Sequence, residues 1–432
     1  MRGTTRLEGG RRLRRSPLAI LFMAVLVDML GFGIVIPVLP FYALDLGAGP
    51  LEVTVLIASF SAMQMVATPI WGRVSDRAGR RPLIIAGLFA SAVSYLIFGF
   101  ANSLMLLLIS RMAAGAAGGT ISVAHAYVAD STRAEERAHA MGLIGAAAGL
   151  GVMLGPAIGG FFSRFGLGAP GFVAAGLCAV NGIAAILLLP ESRSLASRTG
   201  PRTGAAATFG SWIRAMTSNP LAILLSVYFL GITSFTAMTA LLALYFERVF
   251  DIGPEHMGIL FAIAGGVTVI VRGLVLGRLV RRFGEIATVR LGAISLGLAF
   301  VFVPLVPSFG WAMATVPFYA FGAGTLFPAL ATLTSLATDA DSQGSILGGS
   351  QVVGGLGRVL GPLWAGFLFQ EIAIQMPFHV AAVCAVAALS LAAWIPPALQ
   401  SRRMPTAGPA RAADPSDPTP GQAADTTPDR AS

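Results

Sequence analysis

Lysine is absent from this chain, and all 29 basic residues are arginine. Charge of either sign is scarce, at 11% of residues, against about 25% in a typical soluble domain. Cysteine is limited to Cys178 and Cys384, each inside an apolar run, which excludes a disulfide framework and a thiolate metal site. The four histidines, His125, His139, His256 and His379, show no metal-ligand spacing. No cofactor fingerprint and no nucleophile–base set is present, so a membrane enzyme fits worst. What the chain has in excess is apolar side chains, 55% of its 432 residues, with a mean hydropathy of +0.78. That composition defines a polytopic membrane protein whose first partner is the lipid bilayer. The net charge of +9 is not gathered on one face, so no nucleic-acid partner is expected.

A span takes about 20 apolar residues, and twelve segments meet that measure. In the first half they are 18–40, 51–71, 83–101, 104–129, 139–163 and 170–190. In the second they are 220–246, 256–277, 287–306, 311–335, 343–369 and 377–397. A cleaved leader is the competing reading of the N-terminus, but Leu18 to Pro40 is long, holds Asp28 and Pro37, and is followed by many more apolar runs. With the N-terminus inside, 24 arginines fall in cytoplasmic segments and only Arg164 and Arg248 in outer loops. This asymmetry predicts two cytoplasmic termini in a multi-pass inner-membrane protein. The expected organisation is a tail at 1–17, a six-helix bundle at 18–190, a cytoplasmic linker at 191–219, a second bundle at 220–397, and a disordered tail at 398–432. Within the linker, Phe209 to Arg214 reads as a short helix on the membrane surface.

The two halves echo each other. At an offset of 206, Gly151, Gly155, Pro156 and Gly160 fall on Gly357, Gly361, Pro362 and Gly366, and Cys178 falls on Cys384. A register held over that length predicts an all-α membrane fold of twelve helices in two parallel six-helix repeats, with a site between the halves near mid-membrane. The run Gly145 to Gly160 has a face with almost no side chains, suited to close backbone approach, and Pro156 favours a bend.

Several motifs carry a family resemblance. Gly72-Arg-Val-Ser-Asp-Arg-Ala-Gly-Arg-Arg-Pro82 is more than a basic loop, because Asp76 stands among the arginines and glycines close both ends. It resembles motif A of the Major Facilitator Superfamily. Asp28 to Pro40 resembles the first-span motif of the drug–proton antiporter branch, Arg111 to Gly119 resembles motif B, and Ala129 to Arg137 is similar to the loop after the fourth span. Gly151, Gly155, Pro156, Gly159 and Gly160 resemble motif C, the antiporter signature. The resemblance spans residues 18 to 397 and is nearest to tetracycline exporters. Two departures stand out. Ser94 occupies the third-span position where those exporters carry an acid, which speaks against metal-chelated tetracycline. Arg281 stands where the second-half copy would repeat Asp76.

The resemblance implies a proton-coupled antiporter that exports drugs or other amphipathic small molecules by alternating access, with no cofactor, and working as a monomer. Ionisable residues inside spans are costly and usually functional. Asp28 is the one carboxylate well inside the lipid core, and Arg111 stands at similar depth, so the two are expected to face each other and to exchange their pairing with proton or substrate binding; a static structural pair is the alternative. Arg358 is a second mid-membrane cation, suited either to an anionic substrate group or to helix-end carbonyls. Arg272 is expected to snorkel, and His125 to pack as a hydrogen-bonded core histidine rather than relay protons. Gln64, Phe229, Phe235, Met238, Tyr245, Tyr319 and Phe327 are candidate cavity walls. Gly72, Asp76, Arg77, Gly79, Arg80, Arg81 and Asp130 form a candidate gating latch, in which Asp76 accepts from backbone N–H groups near Ser342 to Ser345 and Arg80 pairs with Asp130. Transport of one specific metabolite on the same fold, and a sensor that transports nothing, are the two competing functions.

Overall fold

A computed structural model describes residues 17–192, 217–338 and 343–401 of the chain. Most of the linker expected at 191–219, the surface helix expected at 209–214 and the tail after residue 401 lie outside the described residues. All regular elements among the described residues are helical. They run α1 (Pro17–Val35), α2 (Leu39–Asp45), α3 (Pro50–Ala78), α4 (Arg80–Gly99), α5 (Leu104–Ala117), α6 (Thr120–Ser131), α7 (Ala134–Phe162) and α8 (Ala169–Leu188). There follow α9 (Leu221–Phe250), α10 (Pro254–Ile270), α11 (Leu276–Phe302), α12 (Phe309–Leu336), α13 (Gln343–Glu371), α14 (Met376–Ala392) and the short α15 (Ala398–Ser401).

In lipid each backbone N–H and C=O must be satisfied within its own segment, so long apolar runs persist as helices even where they are rich in glycine. Ten stretches among the described residues are long and apolar enough to cross a bilayer. One of these is the 52-residue run Pro254–Leu305. It contains a π-helical turn at Val271–Val275 and leaves helical geometry at Gly284, with φ at +82°.

Two expected spans are divided. The segment 18–40 breaks after Val35, and α2 begins only at Leu39; Pro37 has no N–H for an i→i−4 bond and Pro40 starts a new helix well. The segment 104–129 divides at Gly118 and Gly119. There the indole of Trp71 fills the room that a side chain at 119 would need, and its Nε1 donates to Ala116 O at 2.6 Å.

Helices α1 to α8 pack chiefly among themselves, led by α1 on α7, α4 on α8 and α3 on α5. Helices α9 to α14 do likewise, led by α11 on α12 and α9 on α13. The groups meet along two seams, α3 against α13 and α7 against α10. Both seams are tight toward one end of the bundle. There Leu51 N donates to Gln370 Oε1 at 3.1 Å, Gly366 sits on Thr54, and Arg164 pairs with Glu255. Toward the other end Gly142, Gly145 and Gly149 of α7, Gly273 beside α10 and Gly348 of α13 have no neighbour within 4 Å of where a side chain would begin. The molecule is therefore closed at the end bearing the α3 N-terminus and open at the end bearing Gly72–Pro82.

Candidate functional site

The Gly72–Pro82 motif is a charge cluster built on one buried guanidinium. Gly79 takes φ +105°, a region that costs glycine least, and turns the chain so that α4 starts immediately after α3. Arg80, 2% exposed, places Nη2 at 2.6 Å from Asp76 Oδ1 and Nε at 2.9 Å from Asp130 Oδ2, while Nη1 donates to Ser75 Oγ. Its backbone N–H donates to Glu191 Oε1 at 3.0 Å. Arg81 Nη2 donates to Ile186 O at 2.6 Å. A buried arginine persists only when its donors meet acceptors in this way. Arg80 and Asp130 pair as the sequence predicts. Arg77 is exposed, and Gly72 has open space where a side chain would begin while its carbonyl accepts from Ser75 Oγ at 2.8 Å. The partner region proposed for Asp76 falls on Ser342, outside the described residues, and on positions whose side chains are not described.

The glycine motif on α7 presents two faces. Gly151, Gly155 and Gly159, four residues apart, lie against α1: backbone atoms of Leu26, Leu30, Gly33 and Ile34 occupy the space side chains would take. Gly160 and the carbonyl of Pro156 lie instead against α10, where Gly258 Cα comes within 2.9 Å of a methyl placed on Gly160, while the Pro156 ring still touches Gly33 of α1. The second copy repeats the division. Gly357 and Gly361 lie against Ile232 and Thr233 of α9, and Gly366 lies against Thr54 of α3. The motif as a whole does not stand on the seam between the two helix groups. Only Gly160 and Pro156 are there, because a repeat of four keeps the other three glycines on the face turned to α1.

Asp28 and Arg111 do not form an ion pair within 4 Å in this conformation. Both are buried, at 4% and 3% exposure, and both point into the α1–α8 group rather than into the opening between groups. Asp28 Oδ1 accepts from Ser91 Oγ of α4 at 3.1 Å, and Oδ2 has no hydrogen-bond partner. The Arg111 guanidinium lies 4.9 Å from the Phe98 ring centre and 5.8 Å from that of Tyr95, and its Nη2 has no hydrogen-bond partner. Tyr95 also packs on α1, with its ring edge 2.8 Å from where Gly31, three residues beyond Asp28, would carry a Cβ. Ser94, the departure from the tetracycline pattern, is buried and donates to Ser91 O, three residues earlier on the same helix, at 2.8 Å.

Of the cavity candidates, Gln64 is half-buried with Nε2 at 3.5 Å from Gly118 O, at the break between α5 and α6. Phe229, Phe235, Tyr319 and Phe327 are also half-buried. Met238 and Tyr245 are each 2% exposed and lie in the core instead, because they occupy the inner face of α9. Tyr228 was missed: it joins an aromatic cluster in which Phe235 stacks on Tyr319 at 4.9 Å, Phe327 stands 5.6 Å from Phe235, and Tyr228 stands 6.0 Å from Phe327. Its own sequence carried no sign beyond a tyrosine one helical turn from Ile232. Arg358 is half-buried, with no ion pair or hydrogen bond to its side chain among the described residues. Contrary to expectation, His125 is exposed rather than packed.

A family model described as Major Facilitator Superfamily matches residues 21–362. The chain is 30% identical to the tetracycline resistance protein, class B, of Escherichia coli over 360 residues, covering 82% of this chain and 89% of that protein. It is 30% identical to multidrug resistance protein 2 of Bacillus subtilis (strain 168) over 376 residues, covering 86% and 93%. Among solved structures, it is similar to a bacterial homolog of the human lysosomal transporter Spinster in an inward-facing, unoccupied conformation, with TM-score 0.72, 16% identity, and coverage of 92% of this chain and 100% of that one.

Proposed function

The chain belongs to the Major Facilitator Superfamily, and from that premise we propose that it is a secondary transporter exporting drugs or other amphipathic small molecules in exchange for protons. The carrying observation is the unequal closure of the two seams. A protein that moves solutes by alternating access needs a barrier at one end at a time, and this one is sealed at one end and open at the other. The relatives whose names record tetracycline and multidrug resistance support export as the direction of work.

The finer architecture belongs to the same proposal. Counted as two because of the break at Gly284, the run Pro254–Leu305 raises the ten candidate stretches to eleven, and α14 supplies a twelfth. These form two parallel six-span halves, 18–190 and 220–397, joined by a linker. With the Gly72–Pro82 end and both termini on the cytoplasmic side of an inner membrane, as the arginine asymmetry supports, the arginine-rich connections lie inside. The structure is then the inward-open state. Asp28 carries the proton, with Ser91 holding one oxygen and the other free to be protonated, and the Asp76–Arg80–Asp130 cluster is the half of the latch that waits for α13. The protein works as a monomer, with protons, small molecules and lipid as its partners. The loss of a third-span acid at Ser94 points to substrates other than metal-chelated tetracycline.

Inside-out vesicles energised by respiration test the proposal. A panel of dyes and drugs should accumulate in vesicles bearing the protein and should leave when the proton gradient is collapsed. Accumulation of a single metabolite with none of the panel would favour the metabolite reading, and no gradient-dependent flux of any solute would favour the sensor.

A further inference from the structure

We infer that the opening between the two helix groups takes an organic anion, a carboxylate or sulfonate on an aromatic body, with Arg358 as its counter-ion. This assignment rests on the export reading and names the substrate class for it.

Position comes first. On α13, Gly354 lies against Tyr228 of α9, and Gly355 lies against Met65 of α3. Arg358 follows them by four and three residues, so it occupies the arc of the helix between those two contacts. That arc faces the wedge between α3 and α9, one helix from each group. The residue is 15 positions from Gln343 and 13 from Glu371, roughly 20 Å from either end at 1.5 Å per residue. Snorkelling to a surface is therefore out of reach.

Chemistry comes next. Arg358 has no acidic or carbonyl partner among the described residues, and a half-buried cation within a membrane span is costly until it meets a counter-charge. The one carboxylate at comparable depth, Asp28, is buried on α1 and turned to Ser91 of α4. Every other described carboxylate stands at a helix end or in a connection, save Glu285, which follows the break at Gly284 within α11, where Gln400 of α15 packs. The wedge thus offers a cation with no competing acid. A guanidinium binds carboxylate or sulfonate oxygens through paired N–H donors, which makes an anion the fitting occupant.

The apolar part of the ligand has a wall as well. Tyr228, whose hydroxyl reaches Gly354 one turn before Arg358, begins the ring cluster that continues through Phe327 and Phe235 to Tyr319. Nearer the open end stands a second cation, Arg272, exposed on the π-helical turn. It lies seven residues, about two turns, beyond Gly265, which faces Met153 of α7. Arg272 therefore borders the open part of the α7–α10 seam, where an entering anion would pass first.

The test uses the full chain in lipid nanodiscs and two probes of one shape, 1-naphthalenesulfonate and (1-naphthylmethyl)trimethylammonium, with equilibrium binding as the readout. The sulfonate should bind more tightly than the ammonium. Arg358→Gln should weaken the sulfonate by about tenfold or more, the size of one charge-assisted hydrogen bond, and leave the ammonium no weaker. Arg358→Lys should fall between. Tighter binding of the ammonium to the unaltered protein, or equal sulfonate affinity in a folded Arg358→Gln, overturns the assignment. The wild-type preference decides alone if the variant does not fold. The outcomes separate from those of export: dye export without sulfonate preference removes only this inference, whereas sulfonate binding without gradient-driven export removes only the antiport reading.

Discussion

Gly160 of α7 lies against Gly258 of α10 so closely that a methyl on either would come within 3 Å of the other's Cα. The contact belongs to the closed end of one seam, whereas Gly155, one turn earlier on α7, meets Gly33 of α1 inside the first group.

Those two positions should fail differently. Gly160→Leu is expected to leave the protein inserted and folded but to hold the closed end apart, so gradient-driven export is lost. Gly155→Leu overpacks the α1–α7 contact and should lower stability by about 1–3 kcal/mol or more. Vesicle transport together with thermal unfolding in detergent distinguishes them. Equal stability loss in both variants would contradict the division of the motif between two helices.

Arg80 answers to Asp76, Asp130 and Ser75 at once. Arg80→Ala removes the guanidinium that Asp76 and Asp130 share; those carboxylates keep 33% and 19% side-chain exposure, so the expected cost is about 1–3 kcal/mol. Expression and unfolding midpoint should fall sharply. Asp130→Asn keeps a hydrogen-bond acceptor for Nε and should cost less. A normal unfolding midpoint in Arg80→Ala would show the cluster to be dispensable for folding.

Asp28→Asn keeps the acceptor for Ser91 but removes the titrating group. The expected variant exchanges substrate down its own gradient yet no longer accumulates it when a pH gradient is imposed. Undiminished uphill export would show that the proton is carried elsewhere, and exposed His125 on α6 is then the group to replace.

An exported anion and an entering proton both move charge down an inside-negative potential, worth about 2.3 kcal/mol per charge per 100 mV. Naphthalenesulfonate accumulation in respiring inside-out vesicles should therefore collapse with valinomycin and potassium and only partly with nigericin. The reverse sensitivity would indicate neutral exchange.

Much of this molecule could be read from its residues, in proportion to how far one dimension sufficed. Helix ends, the arginine bias and the Arg80–Asp130 pair depend on position along the chain. The glycine echo at 206 led to matched contacts at Gly160 and Gly366. Azimuth was harder. Asp28 and Arg111 are both buried, but their side chains turn toward α4 because Ser91, Tyr95 and Phe98 of that helix receive them, which no periodicity in α1 reveals. Met238 and Tyr245 misled for the same reason: a large side chain on a lining helix still has to be on the lining face. The turn at Val271–Val275 left no mark at all, since a π-helix uses the same apolar residues as an α-helix.

At the Gly160–Gly258 contact the closed seam between α7 and α10 is backbone against backbone. Where Gly160 and Pro156 meet Gly258, few rotamers must be reset when the surfaces part, and no knob has to be lifted from a hole. The work of opening is then the lost contact area and whatever lipid or water replaces it. Such a contact can part and close again with little side-chain rearrangement of its own.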